Sequence, residues 1–410
     1  MSALSPPDER ELSLFDAHVR IHQELASLGL SSTLHVAGNT VVNARVLLNS
    51  SDASRQTGGS GKGYKEAACT GAYFEALEHY LTEFHGKQAP IELIPAHHFS
   101  RRDYLTDDSV LDVIYQDQDS TLACRRYTSP LDDHSFCYPL ALSLPGYSEA
   151  PVNGDTFNYA SLKRYCCNSG IAIGATWNEA VLHAINECLE RDALSLFLLH
   201  HFYYLHDHPL RMLNRPAAHE PLFQLWSDVE KELDTQVIVL DISSEFLART
   251  YLAFTVPCIR PVGLFGSGTS LCPEHAVSRA LTELAQMVLA VQQPDVARLL
   301  RLQDCHLAPF PRLQRCLQLD TDDLLARAVT HRVQLPVPQP KQPVSEHIRR
   351  LAEDIRSHQK ELGVSVMYHT ALGTTLANVV IPGLERFYIV TSGNVVIPQA
   401  RGLQLHELYG

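Results

Sequence analysis

The stretch from Thr57 to Glu78, TGGSGKGYKEAACTGAYFEALE, decides how this chain is interpreted. Its first seven residues predict a glycine-rich loop, and the residues after them predict a helix from Tyr64 to Phe84. In such a loop, backbone N–H groups can surround an anion close to the positive end of the helix dipole. Lys62 would add a point charge. The segment therefore predicts a phosphate site, although its composition alone is also typical of a flexible connector.

The glycine-rich segment does not follow the P-loop pattern G-x-x-x-x-G-K-[ST], because Gln56 and Gly63 stand where that pattern needs glycine and a hydroxyl residue. The phosphate interpretation depends instead on the helix behind the loop. Glu75 and Glu78 are spaced i, i+3, which places both carboxylates on one helix face. Small residues near that face would let a ligand approach the helix: Ala68, Gly71 and Ala72.

A second helix repeats this pairing of carboxylates. It is predicted to begin at Thr176, since Thr176 and Glu179 form a capping box. Glu187 and Glu190 follow on this helix, again spaced i, i+3, and the residues before them are mainly apolar. Taken alone, such a pair is typical of a solvated polar face.

A third helix, predicted to begin at Pro273, carries Glu283 and Gln286 with the same spacing. Carboxylates in mainly apolar helices need partners if they are buried. Oxygen ligands that converge from several helices suit Mg²⁺, which prefers carboxylates, waters and substrate phosphates. The three helices together therefore favour a site for Mg²⁺ with a phosphate-bearing ligand.

The charge of the chain restricts its partners. With 410 residues and a formal net charge of −13, it lacks the Lys/Arg surplus that nucleic acids or anionic membranes require. An acidic pocket still binds phosphates when Mg²⁺ bridges the two negative partners. The sequence has no stretch of 18 apolar residues and its first residues do not resemble a signal peptide, so we expect a cytoplasmic protein.

The cysteines and histidines do not form a recognisable metal motif. The ten cysteines include no CxxC pair, which predicts reduced, mostly buried thiols. Several histidines lie close together, but their spacing matches no zinc motif and predicts the polar end of a helix. These are His200, His201, His206 and His208.

The chain is predicted to be one catalytic unit of residues 1–410 in the α/β class, with α+β mixed sheets and helices. We expect an N-terminal helix and strands in 1–56, an ATP-binding core in 57–330, a proline-rich connector in 331–344, and a helix with strands in 345–410. More local predictions are a helix over Pro7–Leu28, a turn at Gly38-Asn39, strands over Gln236–Asp241, Tyr251–Cys258 and Phe387–Val390, and a helix capped by Ser345 and ended by Gly363.

Four segments resemble, in order and spacing, the YcaO family of ATP-dependent enzymes that activate backbone amides. They are Ser60–Gly63 with Phe74–Glu78, then Gly170–Gly174 with Asn178–Ala180 and Glu187–Ala193, then Arg279–Gln286, and finally Val380–Glu385. Together they span positions 60 to 385. The resemblance implies a YcaO-like fold with ATP and Mg²⁺ as cofactors.

The resemblance also implies roles for particular residues. The Mg²⁺ ligands would be Glu75, Glu78, Glu187 and Glu190. The nucleotide would be contacted by Ser60, Lys62, Ser169, Arg191, Glu283 and Gln286, with Lys62 and Arg191 also acting in catalysis. Two local departures are Asn168-Ser169-Gly170, where the family has Ser-Asn-Gly, and His79, where it has arginine. The proline-rich tail of many cyclodehydratases is not seen at the end of this sequence.

The function implied is phosphorylation of a peptide amide oxygen, which forms azolines from Cys, Ser or Thr in a ribosomally made peptide. Two alternatives are thioamide formation with a sulfur-donating partner, and a role as an ATP-binding accessory protein of a modification complex. The expected partners are a precursor peptide, a separate protein that presents it and, as an option, a second copy in a homodimer. We expect neither nucleic acid nor a membrane as a partner.

Overall fold

The structure is a computed structural model, and it describes residues 9–51, 54–101, 108–117, 119–337 and 340–409. Its strands are β1 Ser31–Ala37, β2 Val41–Asn49, β3 Gln56–Tyr64, β4 Glu92–Pro95, β5 Thr121–Thr128, β6 Ser135–Pro139, β7 Ile171–Gly174, β8 Leu210–Leu213, β9 Gln236–Asp241, β10 Arg249–Val256, β11 Phe265–Ser270, β12 Thr330–Val333, β13 Gly363–His369 and β14 Thr375–Val380. Its helices are α1 Leu14–Ser27, α2 Lys65–His85, α3 Asp112–Gln116, α4 Trp177–Leu198, α5 Pro221–Leu233, α6 Pro273–Val291, α7 Pro294–Leu307, α8 Pro311–Gln318, α9 Thr321–Arg327, α10 Val344–Ser357 and α11 Ala400–Tyr409. This mixture of helices and strands confirms the predicted class.

The strands form three sheets, and each sheet has an end strand that leads directly into a long helix. The first sheet has the order β1-β2-β3, the second β11-β10-β9-β8-β12, and the third β4-β5-β13-β14-β7 with β6 also paired to β5. The end strands β3, β7 and β11 are followed by α2, α4 and α6. The second sheet is mixed, because β12 runs parallel to β8 while β10 is antiparallel to both of its neighbours.

The predicted glycine-rich loop is wrong, because residues 56–64 form the regular strand β3, paired with β2 along its whole length. Two of its glycines, Gly59 and Gly61, face helix α2. A Cβ on Gly61 would lie 2.5 Å from the backbone nitrogen of Ala72, and one on Gly59 would lie 2.6 Å from the carbonyl carbon of Glu75. The small residues of α2 therefore admit a strand where a ligand was expected, and Ser60 and Lys62 point to the other side of the sheet.

The other two strand-and-helix units use the same close approach. A Cβ on Gly268 of β11 would lie 2.9 Å from the backbone nitrogen of Ala280 in α6. A Cβ on Gly174 of β7 would lie 2.8 Å from the Cβ of Glu179 in α4. All three helices are thus held against their strands at backbone distance.

Several predicted boundaries are confirmed. The hydroxyl of Thr176 caps α4 by accepting a hydrogen bond from the backbone N–H of Glu179, α6 begins at Pro273, and a turn joins β1 to β2 at Gly38. The first helix begins later than predicted, at Leu14. The backbone N–H groups of Glu11 and Leu12 donate to the Glu179 carboxylate and are therefore not available to a helix.

Two predictions for the last part of the chain are wrong. Phe387–Ser392 is a 3₁₀ helix and not a strand, because the Ser195 hydroxyl accepts the backbone N–H of Tyr388 that a strand would use for pairing. Helix α10 is preceded by Pro343 and ends at Ser357, while Gly363 begins β13.

The proposed division of the chain stays a prediction. Its boundaries after residues 56 and 330 fall within strands β3 and β12, and Pro338 and Gln339 of the connector lie outside the described residues. In the part of the chain that the structure covers, the helices are too short or too polar to cross a membrane.

Substitution Gly61→Ala tests the contact between β3 and α2. We expect it to lower the free energy of unfolding by about 3 kcal/mol, because the helix backbone cannot move aside as a flexible side chain would. Gly71→Ala is the matched control: its Cβ would lie 3.8 Å from the nearest atom, and alanine should stabilise the helix by up to about 1 kcal/mol. Denaturant unfolding of both variants checks this. Similar stability of the two would contradict the packing described here.

Candidate active site

The three strand-and-helix units close on one another in a ring. Helix α2 packs against β7, α4 against β11, and α6 against β3. Each helix therefore touches its own strand and the end strand of one other unit. The oxygen-bearing residues predicted on the three helices lie within this ring.

Side-chain hydrogen bonds also join each helix to the end strand of a neighbouring unit. Glu78 of α2 accepts a hydrogen bond of 2.9 Å from the backbone N–H of Ile173 in β7. Glu190 of α4 accepts one of 2.7 Å from the hydroxyl of Ser267 in β11. Each of these glutamates is thus fixed by the strand of a neighbouring unit.

The third contact of this kind is an ion pair between Lys62 of β3 and Glu283 of α6. Both side chains are mostly buried, with 22% and 19% of their surface exposed. Burial alone would raise the pKa of Glu283, but the positive charge of Lys62 and smaller contributions that include the charge of Arg191 together outweigh this effect, and the pKa lies below its ordinary value. Glu283 is therefore ionised and holds the lysine within the ring.

The glutamates lie so close together that their charges oppose one another. Burial raises the pKa of Glu78 well above its ordinary value, and the charges of Glu187 and Glu75 add to this effect. Burial likewise raises the pKa of Glu187 to about 7, with Glu190 adding to it and Arg191 opposing it. A cluster of desolvated carboxylates with mutual repulsion is a place where a divalent cation would be stabilised.

Arg191 lies beside this cluster. Its guanidinium is 3.7 Å from Glu187, and its Cζ lies 5.1 Å from the centre of the Tyr388 ring. Ser169, which precedes the strand β7, lines a small cavity together with Arg191. The structure therefore brings Arg191 and Ser169 together, as the sequence predicted.

Two further predicted residues are Glu75 and Gln286. Glu75 accepts a hydrogen bond from the backbone N–H of Ser60, and 43% of its side chain is exposed. Gln286 lies half-buried on α6, one turn after Glu283.

The sequence prediction did not include His183 or Arg10 among the residues of the site. His183 lies one turn before Glu187 on α4. Burial lowers its pKa well below the ordinary value, and the charges of Arg279, Arg10 and Lys62 lower it further. The i, i+4 spacing of His183 and Glu187 was a usable signal. Arg10 gave none, because it reaches this region from the other end of the chain.

The geometry favours an open metal site over a closed one. Among the residues described, no group of three or more His, Cys, Asp or Glu side chains is arranged so that it could hold a metal ion alone. The histidines near 200 form no such group either, and two of them, His200 and His201, lie in a π-helical turn, Leu199–Tyr203, directly after α4. Mg²⁺ is normally bound by one or two carboxylates, waters and substrate phosphates, so the glutamates fit an ion that arrives with a nucleotide.

A site of this kind, with glutamates on its helices and the cations Lys62 and Arg191 beside them, defines a class of proteins that bind phosphates through a divalent cation. Residues 60–385 match the family described as YcaO cyclodehydratase, ATP- and Mg²⁺-binding. The chain belongs to the YcaO family. This membership confirms the predicted family and, at the level of the family, ATP and Mg²⁺ as cofactors.

Three solved structures share the fold. YcaO from Methanopyrus kandleri bound with AMPPCP and Mg²⁺ is 17% identical with a TM-score of 0.64, over 97% of this chain and 99% of that one. A heterocyclase in complex with substrate and cofactor is 17% identical with a TM-score of 0.62, over 94% of this chain and 55% of that one. The E. coli microcin synthetase McbBCD complex with pro-MccB17 bound is 12% identical with a TM-score of 0.57, over 87% and 88%. No curated protein matches the sequence significantly.

The raised pKa of Glu187 predicts a pH-dependent gain in stability for Glu187→Gln. Below about pH 4.5 the carboxyl is protonated in both the folded and the unfolded chain, so no gain from this source is expected. As the pH rises to about 7, only the unfolded chain ionises freely, and the wild type loses stability that glutamine retains. The gain should reach about 3 kcal/mol and stay constant above pH 7.

Denaturant unfolding without Mg²⁺ or nucleotide, between pH 4.5 and pH 8, measures this difference. Glu66→Gln replaces an exposed glutamate of α2 and should change stability by only a few tenths of a kcal/mol. A difference between wild type and Glu187→Gln that is constant with pH would show that the Glu187 carboxyl is not destabilised by its surroundings.

Proposed function

We propose that this chain uses Mg²⁺-ATP to activate backbone amides of a ribosomally made peptide, and that it forms azolines from Cys, Ser or Thr. The observation that carries the proposal is the ring of three helices, which places Glu75, Glu78, Glu187 and Glu190 near two cations, Lys62 and Arg191. Family membership and the heterocyclases among the fold relatives support the same reaction class.

The reaction follows from the groups present. A thiol or hydroxyl of the peptide loses its proton to solvent and adds to the carbonyl carbon, and the resulting oxyanion attacks the γ-phosphorus while the bond to the ADP oxygen breaks. The C–O bond then breaks, phosphate leaves with the former carbonyl oxygen, and loss of the N–H proton gives the C=N bond. Magnesium, when bound, would neutralise the phosphates.

The side chains of this protein have separate tasks in that scheme. Glu78 and Glu190, fixed by β7 and β11, would hold the ion on two sides. Lys62 and Arg191 would stabilise the negative charge on the transferring group, since preorganised cations are most effective in a site that excludes water. The peptide supplies the nucleophile, so no side chain of this protein needs to form a covalent intermediate.

The partners belong to the proposal as well. One fold relative is a heterocyclase in complex with substrate, and another is a complex of several proteins with a propeptide bound. We propose that a precursor peptide is the substrate and that a separate protein presents it. Thioamide formation would require a sulfur donor, and mass spectrometry of the product distinguishes the two: an azoline lowers the peptide mass by one water, whereas a thioamide raises it by the difference between sulfur and oxygen.

Substitution of the glutamates tests the ATP site. At a hundredfold excess over Kd, Mg²⁺-ATP should stabilise the wild-type fold by about 2.7 kcal/mol. Glu78→Gln and Glu190→Gln should each abolish ATP hydrolysis while leaving the fold intact, because glutamine keeps the shape but removes a metal-binding charge. Thermal melts and phosphate release measure both effects.

Glu83→Gln is the matched control, an exposed glutamate on the same helix as Glu78, and it should behave as wild type. Hydrolysis within twofold of wild type in both site variants would place the metal elsewhere.

The C-terminal helix α11 is fixed to the site. Arg401 contacts both oxygens of the buried Asp192 at 2.9 Å, and Asp192 directly follows Arg191. The buried carboxylate of Glu385 accepts hydrogen bonds from the backbone N–H groups of Gln399 and Gly402. Movement of this segment would therefore shift Asp192 and, with it, the neighbouring Arg191.

Deletion of residues 402–410 should lower turnover with peptide and partner while ATP affinity stays within a few-fold. The reason is that the deletion removes the Gly402 N–H, which donates to Glu385, but none of the proposed ATP ligands. Removal of residues 408–410 alone is the control, since Leu408 is exposed. Phosphate release and nucleotide titration separate the two effects. Unchanged turnover in the longer deletion would mean that the site works without this support. The same would follow if the isolated chain hydrolysed ATP as fast as the chain does with peptide and partner.

A further inference from the structure

A small cavity lies next to Arg191, and the proposed reaction does not yet use it. It has a volume of about 40 Å³. Arg191 and Ser169 line it and belong to the candidate active site. Arg386, which follows Glu385 after strand β14, and Tyr138 of β6 line it as well. The cavity thus adjoins two of the residues proposed to contact the nucleotide, Ser169 and Arg191.

Only one of the two terminal nitrogens of the Arg386 guanidinium has hydrogen-bond partners among the residues that the structure describes. Its Nη2 donates to the carboxylate of Asp108 at 3.2 Å and contacts the Tyr138 hydroxyl. Its Nη1 is buried and has no hydrogen-bond partner within the residues that the structure covers. Leaving a buried charged donor unpaired costs more than about 1–3 kcal/mol, so this atom needs an explanation.

The charges around the cavity favour an anion. Two guanidinium groups line it, and each of the nearest carboxylates has at least one partner. Glu187 is paired with Arg191, Asp108 with Arg386, and Glu385 accepts backbone N–H groups. The cavity therefore has donors to offer and requires an acceptor with several oxygens.

The size restricts the anion to a compact one. At about 10–15 Å³ for each water-sized group, the volume holds about three to four such groups. A nucleotide base or a large peptide side chain does not fit. A tetrahedral oxyanion such as phosphate does, and it would find donors in Arg191 and Arg386.

We infer that this cavity receives the phosphate that leaves with the former amide oxygen, and that Arg386 Nη1 donates a hydrogen bond to it. The inference rests on the proposed function. When the C–O bond of the phosphorylated adduct breaks, its electron pair departs on the phosphate oxygen, and the N–H proton of the adduct is lost as C=N forms. Arg386 stabilises the negative charge that develops on the leaving group.

Titration of inorganic phosphate into the protein saturated with Mg²⁺-ADP tests this, followed by calorimetry or by the ³¹P resonance of the phosphate. Arg386→Gln should weaken phosphate binding by about 10- to 100-fold, as expected for loss of a charged hydrogen bond. Arg386→Lys keeps the charge without the forked donor, so its affinity for phosphate should lie between those of the wild type and Arg386→Gln. The affinity for AMPPCP should stay within about twofold in every variant.

Two further variants separate binding from folding. Arg126→Gln removes an exposed arginine of β5 and should bind phosphate as wild type does. Because Arg386→Gln leaves Asp108 buried without its cation, the double variant Asp108→Asn/Arg386→Gln restores a neutral pair and should still bind phosphate weakly.

The outcomes are distinct. Equal phosphate affinity in wild type and Arg386→Gln, or no phosphate binding by the wild type with Mg²⁺-ADP bound, overturns the inference and leaves the proposed function standing. Failure of the wild type to bind AMPPCP or ADP with Mg²⁺ overturns both.

Discussion

The contact between a glycine-bearing end strand and the helix that follows it controls the geometry of this site. In β3 and β11, glycines lie directly on the backbone of α2 and α6, at distances that leave no room for a Cβ. Because each helix also packs against the end strand of another unit, the positions of the three helices depend on one another. The carboxylates converge for this reason and not because the glycine-rich segment wraps around a phosphate.

The same convergence makes the site costly for the folded chain. Glu78 and Glu187 are desolvated and repel one another, and their raised pKa values express that cost. Fixed donors such as the N–H of Ile173 and the hydroxyl of Ser267 keep two of the glutamates in place despite the repulsion. A cation delivered with a nucleotide would remove the repulsion, so binding energy and stability are linked at this ring. In the cavity beside Arg191, we propose that the reverse pairing holds: buried guanidinium groups are stabilised by the phosphate product.

The sequence predicted the helices of the site well, because their ends carry local signals such as the Thr176 cap and Pro273. The i, i+3 spacing of the glutamates predicted that each pair shares one helix face, and the order and spacing of four segments predicted the family. It failed at β3, since a strand of glycines has no apolar alternation and its composition is that of a loop. Phe387–Val390 was misassigned because its apolar residues favour a strand, whereas the Ser195 hydroxyl takes the N–H that pairing needs. Arg386 contacts Asp108 and Tyr138, and the charge of Arg10 acts on His183, across large separations in sequence that local patterns do not contain.

The central claim is that glutamates from different helices hold one divalent ion together with a nucleotide. Electron paramagnetic resonance of Mn²⁺, titrated into the protein with and without AMPPCP, tests it most directly. The account predicts that Mn²⁺ binds tightly only when AMPPCP is present, and that Glu78→Gln on α2 and Glu187→Gln on α4 each weaken this binding strongly. Tight Mn²⁺ binding that persists in both variants, or that does not depend on the nucleotide, would contradict it.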